Sequence, residues 1–127
     1  MIGLGDLTVI ASRDGVDAKT VERDYVITHV MSSLAADPGS GAFQFKGGTA
    51  LRLCLFPEYR YSADIDLNLL GVGRPAALQV LAGALEQCRA AIGFPHLRLS
   101  DDGARIEFIG PTRSSRPRTV KLDLCDD

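Results

Sequence analysis

Cysteine and histidine are scarce in this chain. There are 3 cysteines, at positions 54, 88 and 125, and 2 histidines, at positions 29 and 96. The cysteines are far apart, odd in number and without a Cys-x-x-Cys pair. This pattern argues against a disulfide framework and favours reduced thiols in a cytoplasmic protein. Without a His-x-x-x-His pair, a zinc site is not expected either.

Long apolar runs and a large excess of one charge are also missing. No apolar stretch approaches the length of a membrane span, and the N-terminus carries Asp6 and lacks a basic leader, so we expect neither a membrane partner nor a signal peptide. The formal net charge is −2, which excludes indiscriminate coating of nucleic acid and leaves only local basic patches for such contacts. A length of 127 residues predicts a single domain, residues 1–127.

Hydrophobic periodicity predicts helices interleaved with strands. In the first helix, Ile27, Val30, Met31 and Leu34 form one apolar stripe, with Asp17 as a possible N-cap. Such an alternation predicts an α/β or α+β fold, in which a mixed β-sheet is flanked by helices. Helices are predicted at 17–36, 50–56 and 76–92, and strands at 43–46, 63–70, 97–100, 104–109 and 119–125.

Two aspartates in the second predicted strand, which is expected to be buried, are the most informative feature. Asp64 and Asp66 are two residues apart, so their side chains share one face while Ile65 and Leu67 point to the other. Two carboxylates about 4 Å apart repel by about 4 kcal/mol at an effective dielectric constant near 20. A cation would offset this repulsion, and oxygen ligands suit Mg²⁺ or Mn²⁺. The alternative is a solvated strand face with two harmless acids.

A Gly-Gly turn precedes this strand. Gly47 and Gly48 follow the strand 43–46 and lead into a short helix, so their exposed backbone N–H groups suit a phosphate. Thr49 is expected either to contact that phosphate or to cap the helix. Asp123 supplies a third acid on another predicted strand; an exposed strand carboxylate is the alternative. A phosphate cradle beside an acidic metal site indicates phosphoryl or nucleotidyl transfer.

Four segments together resemble one protein family. They are the run Lys46-Gly47-Gly48-Thr49-Ala50-Leu51, the run Arg60-Tyr61-Ser62-Ala63-Asp64-Ile65-Asp66-Leu67, the helical stretch Glu22-Arg23-Asp24-Tyr25 and the strand Val120-Lys121-Leu122-Asp123-Leu124. The first two resemble the nucleotidyltransferase pattern. All four together resemble the AbiEii/AbiGii toxin family of type IV toxin–antitoxin systems.

This resemblance implies a function and a set of roles. It implies Mg²⁺-dependent transfer of a nucleoside monophosphate from an NTP to a tRNA 3′ end or a protein hydroxyl, and a cognate antitoxin. Gly47, Gly48 and Thr49 would hold the triphosphate, and Asp64, Asp66 and Asp123 would bind metal and complete catalysis. Family members usually continue into a helical half. The 127 residues are therefore expected to correspond to the N-terminal part alone, without that C-terminal half.

Other polar residues carry weaker expectations. Lys46 and Arg52 are candidates to contact phosphate, and Ser62, two residues before Asp64, is a candidate pocket residue and phosphorylation site. A phosphate on Ser62 would add about two negative charges beside the acids and act as an off switch. Glu22, Arg23 and Asp24 are interpreted as a salt-bridge set on the helix surface. The basic residues Arg113, Arg116, Arg118 and Lys121 are expected to cluster near Asp123, as a solvated loop or as an RNA guide.

Two further functions remain open from the sequence. One is nucleotidyl transfer to a small cationic acceptor, as in aminoglycoside-modifying enzymes, which the acidic overall charge favours. The other is a truncated, inactive remnant that binds a nucleotide or a partner without turnover.

Overall fold

A computed structural model describes residues 2–46, 64–113 and 116–126 of the chain. The predicted Gly47–Thr49 turn and the predicted helix 50–56 lie outside the described residues, as do the candidate site residues Arg52 and Ser62. The three predicted acids all lie inside them.

Three helices are present in the described part of the chain: α1 (Leu4–Asp14), α2 (Ala18–Ala36) and α3 (Arg74–Ile92). Asp17 is the N-cap of α2, as predicted, and its carboxylate accepts a hydrogen bond of 2.8 Å from the backbone N–H of Thr20. Gly93, at φ 72°, ends α3 in the left-handed conformation that glycine adopts without strain. A short 3₁₀ turn covers Ser40–Ala42.

One helix lies where the sequence predicts none, and another begins earlier than predicted. No helix was expected before residue 17, yet α1 precedes it. Its only fully buried side chains are Leu7 and Ala11, so its apolar stripe is too narrow to detect. The helix predicted at 76–92 begins two residues earlier, because α3 starts at Arg74. Proline is accepted in the first turn of a helix because the N–H that it lacks has no helical partner there.

A mixed sheet of five strands forms the other layer of the described structure, in the order β1-β2-β5-β4-β3. β2 and β5 are parallel at its centre, and the three outer pairings are antiparallel. The mixed sheet with helices confirms the predicted fold class. The strands are β1 (Phe43–Lys46), β2 (Asp64–Leu69), β3 (Arg98–Leu99), β4 (Arg105–Phe108) and β5 (Arg118–Asp126).

The hydrophobic core lies between one face of this sheet and the helices. Along β2 the odd-numbered positions, such as Ile65 and Leu67, are buried, and along β5 Val120 and Leu122 are buried. They pack against α2 and α3 in one continuous cluster. The predicted helix stripe is confirmed, since all four of its members are buried: Ile27, Val30, Met31 and Leu34. Among the described residues, no helix is long and apolar enough to cross a membrane.

Because the helices cover one face, the alternate residues of the central strands lie on the opposite face. Asp64 and Lys121 are exposed there, while Asp66 is half-buried. This face of the sheet, called here the open face, carries all three acids that the sequence analysis singled out.

Replacing Leu67 by Ala tests whether the core supports the open face. Leu67 is 0% exposed on β2, so truncation leaves a cavity beneath Asp66. We expect the free energy of unfolding to fall by about 2–5 kcal/mol in urea denaturation. Leu70→Ala is the matched control, because Leu70 is 42% exposed, and it should change stability by about 0.5 kcal/mol or less. Equal losses in the two variants would contradict this account of the core.

Candidate active site on the open face

Asp66 and Asp123 are direct neighbours in the sheet. β2 and β5 run parallel, and their register pairs Asp66 with Asp123. Neighbouring strands are about 4.8 Å apart, and paired residues point to the same face. The pairing therefore brings two carboxylates together from segments that are far apart in the sequence, on a surface open to solvent.

Asp64 lies two residues before Asp66 on β2, on the same face of the sheet. Its register partner on β5 is Lys121, not another acid. The sequence analysis placed Asp64 and Asp66 in a buried strand, where their repulsion would be large. That expectation is wrong: only the opposite face of β2 is buried, and Asp64 is exposed. Water therefore screens the two charges, and the pairing of Asp66 with Asp123 becomes the closer contact between acids.

Other polar groups surround the carboxylate pair. On its other side, Asp66 is in register with Lys46 of β1. Two pairs further along, the Asn68 amide donates a hydrogen bond of 3.4 Å to the Gln44 side chain. The thiol of Cys125 lies 3.8 Å from Oδ1 of Asp123. The side chains of Asn68 and Cys125 thus place polar groups next to the pair.

The described residues supply part of a metal site. Within 2–46, 64–113 and 116–126, no group of three or more His, Cys, Asp or Glu side chains is arranged to hold a metal ion. Mg²⁺, however, keeps several waters and is commonly bound through one or two carboxylates together with substrate phosphates. A neighbouring pair of carboxylates, one half-buried and one exposed, fits that donor set. Metal binding by Asp66, Asp123 and Asp64 stays a prediction, in which the Asp66–Asp123 pair would hold the ion.

The prediction that all four basic residues cluster near Asp123 is wrong. Lys121 does lie on the open face, two residues from Asp123. Arg118 instead points away, into contact with Glu22 of α2. Arg113 and Arg116 are exposed in the loop between β4 and β5, and no described contact ties them to the acids. Lys121 alone of the four stands beside the carboxylates.

Glu22 is a buried charge, not part of a helix surface. The interpretation of Glu22, Arg23 and Asp24 as a surface salt-bridge set is wrong, because Glu22 is 0% and Asp24 6% exposed. The Glu22 carboxylate accepts hydrogen bonds from Arg118 Nη1 at 2.7 Å, from the Thr112 backbone N–H at 2.7 Å and from the Thr112 hydroxyl at 2.8 Å. An ionic partner and further hydrogen-bond donors offset the cost of removing the Glu22 carboxylate from water.

This network fixes the segment that leads into β5. Arg118, the first residue of β5, also donates to the Lys19 carbonyl at 2.9 Å and lies over the Phe108 ring at 5.3 Å. Gly110 must stay small, because a Cβ there would come within 2.7 Å of the Glu22 carboxylate. The network thereby joins α2 to the start of the strand that carries Asp123. One sequence signal could have revealed it: Glu22 precedes Val26 and Val30 at spacings of four, on the buried stripe of α2.

A separate groove lies away from the acids. It has a volume of about 780 Å³ and lies between the N-terminal segment, the end of α3 and the loop after β4. Its lining is largely apolar and contains none of the candidate acids. We place the candidate active site on the open face, because the described lining of the groove contains no carboxylate that could bind a metal ion. Its lining includes Ile2, Leu4, Phe94, His96, Ile109 and Arg113.

Comparison with known proteins identifies a family. The family model described as nucleotidyl transferase AbiEii toxin, type IV TA system, matches residues 29–126. This range contains β1, β2 and β5 and therefore all three acids, but it begins after Glu22. A search of curated proteins finds no match.

The Glu22 network can be measured by a double-mutant cycle. Glu22→Ala leaves Arg118 without its buried partner, so we expect a loss of about 3–5 kcal/mol in unfolding free energy. Because both residues share one interaction, the loss in Glu22→Ala/Arg118→Ala should fall short of the sum of the single losses by about 0.5–3 kcal/mol. The exposed Arg13–Asp14 pair, 2.9 Å apart, provides the control: Arg13→Ala should cost about 1 kcal/mol or less. Additive single losses would refute the coupling.

Proposed function

We propose, from the premise that this chain belongs to the AbiEii nucleotidyl transferase toxin family of type IV toxin–antitoxin systems, that it transfers a nucleoside monophosphate from an NTP to an acceptor hydroxyl. The single observation that carries the proposal is the register of β2 and β5, which pairs Asp66 with Asp123 on an exposed face. Nucleotidyl transfer needs neighbouring carboxylates that are open to a nucleotide and its Mg²⁺. A purely structural strand pair gains nothing from opposing like charges.

The reaction exchanges one bond at the α-phosphorus for another. The acceptor hydroxyl oxygen bonds to the α-phosphorus, and the bond from that phosphorus to the bridging oxygen of the β-phosphate breaks. Pyrophosphate leaves with the electron pair, and the hydroxyl proton passes to a carboxylate or to water. Bound Mg²⁺ would supply charge neutralisation at the phosphates and a lower pKa at the attacking oxygen.

The residues of the chain divide this work between two segments. Asp66 and Asp123 would hold the ion, and Asp64, one step along, would orient the same charged groups from β2. Asp123 is also proposed to accept the proton of the acceptor hydroxyl. Gly47, Gly48 and Thr49 are proposed to hold the triphosphate through backbone N–H groups, with Lys46 and Arg52 contributing charge.

The acceptor and the regulator complete the proposal. A tRNA 3′ end is proposed as the acceptor, with a protein hydroxyl as the alternative, and the setting is the cytoplasm. A cognate antitoxin is the expected partner. Ser62 is proposed as a point of control, because a phosphate two residues before Asp64 would compete with the triphosphate for the metal and repel it.

Neutralising one acid at a time tests the metal site. In Asp66→Asn or Asp123→Asn, one charged metal ligand is lost, so Mg²⁺-dependent NTP binding measured by calorimetry should disappear. Without metal, the same variants should be equal to or more stable than the parent, by up to about 1 kcal/mol, because a like-charge cross-strand pair is relieved. Binding and stability thus move in opposite directions, which a folding defect cannot produce.

Asp126→Asn is the matched control. Asp126 lies on the same strand, three residues beyond Asp123, and its register partner is the core residue Leu69. This variant should bind Mg²⁺ and NTP like the parent. If Asp66→Asn and Asp123→Asn also bind like the parent, the metal assignment fails. Binding by the parent without any transfer to an acceptor would favour the inactive remnant.

A further inference from the structure

We propose that Arg105 and Lys121 form a phosphate-binding pair beside the acids of the open face. β4 and β5 are antiparallel, and their register pairs Arg105 with Lys121. Both residues are exposed and lie on the same side of the sheet. In the sequence they are 16 residues apart (121 minus 105) and belong to different predicted strands, so only the pairing register brings them together.

The pair is unusual because two cations lie directly opposite each other. Like charges at paired positions of neighbouring strands destabilise a sheet. In the part of the chain that the structure describes, neither side chain makes a hydrogen bond or an ion pair. Arg118 and Arg98, by contrast, pair with Glu22 and Asp101. Two paired cations without a described ion pair of their own suit an anion that arrives from outside.

Nearby acids offset only part of this charge. Lys121 has Asp64 as its register partner on β2, and Arg105 acts on Asp102, helping to hold the pKa of that carboxyl below its usual value after the larger effect of the Ser100 hydrogen bond. Glu107, two residues along β4, lies 3.8 Å from Arg98. Among the described residues, however, no acid forms an ion pair with Arg105 or Lys121, so both cations are available to an anion.

The position of this pair explains why cations are needed there. Lys121 and Asp123 are alternate residues of β5, so their Cα atoms are about 7 Å apart. An acidic surface repels the phosphates of any substrate, and fixed cations at its border reduce that repulsion. The inference rests on the proposed function for its substrates, but the binding of phosphate to these two residues can be measured without any transfer.

The phosphate has two possible sources, the triphosphate of the nucleotide and a phosphodiester of an RNA acceptor. We would measure the affinity of the full chain for the four NTPs with Mg²⁺ and for a short fluorescent single-stranded RNA. The variants are Arg105→Gln, Lys121→Gln and their combination. Each single change should weaken binding of one source by about tenfold. For RNA, the dependence of log K on log salt should become shallower by about one for each lost charge.

Arg13→Gln is the matched control for loss of one positive charge. Arg13 is exposed on α1, in the helix layer on the other side of the sheet, and its variant should bind both ligands like the parent. Folding is monitored by melting temperature, which should not fall in Arg105→Gln because a like-charge contact is relieved. Weaker NTP binding identifies the nucleotide as the source, and weaker RNA binding identifies the phosphodiester.

Three results would overturn the phosphate pair: parental affinities in the combined variant, equal weakening by Arg13→Gln, or a parent that binds neither ligand. Failure of the proposed function has a different signature. If Asp66→Asn keeps Mg²⁺-dependent NTP binding while Arg105→Gln and Lys121→Gln lose affinity, the phosphate pair stands and the transferase assignment falls.

Discussion

The register between β2 and β5 is the constraint on which the candidate site depends. A shift of one residue in this parallel pairing would turn the acids of one strand toward the core. Charged residues would then lie opposite apolar residues of the neighbouring strand. Burial of Ile65 and Leu67 on one strand, and of Val120 and Leu122 on the other, forbids that shift. The hydrophobic effect on the helix-covered face thus determines which carboxylates meet on the open face. On β2 and β5, the residues of the core therefore alternate with the residues of the candidate site.

A second, buried interaction reinforces this arrangement at the start of β5. Glu22 receives three hydrogen bonds from the β4–β5 connection and from Arg118. A fully buried carboxylate is tolerated where an ionic partner and further hydrogen bonds satisfy it. Because Glu22 finds these partners in Arg118 and the preceding loop, the network holds the start of β5 in place. Asp123 is the sixth residue of that strand. The buried Glu22–Arg118 pair therefore contributes to the position of Asp123, through the backbone of β5.

Much of the fold could be predicted from periodicity because long amphipathic segments give strong signals. α2, with its Asp17 cap, and the strand Phe43–Lys46 agree with the sequence analysis. The alternation of Lys121 and Asp123 with buried Val120 and Leu122 also does. Helix α1 was missed because only two of its side chains are buried, too few to produce a stripe.

The candidate site was predicted only in part, because local patterns do not contain pairing partners. Alternation predicted that Asp64 and Asp66 share a face, but not that Asp66 opposes Asp123 or that Arg105 opposes Lys121. Charge alone suggested that Glu22 lies on a surface and that Arg118 lies near the acids. Both expectations failed because tertiary contacts between α2 and β5 pair these two residues with each other.

The central claim is that the carboxylate pair catalyses nucleotidyl transfer. The most direct measurement incubates the chain with Mg²⁺, total RNA and NTPs labelled either at the α- or at the γ-phosphate. The account predicts that α-label enters an acceptor, that γ-label appears only in pyrophosphate, and that Asp66→Asn abolishes both. Incorporation of γ-label would indicate phosphoryl transfer instead. Transfer of α-label at the parental rate by Asp66→Asn would contradict the account.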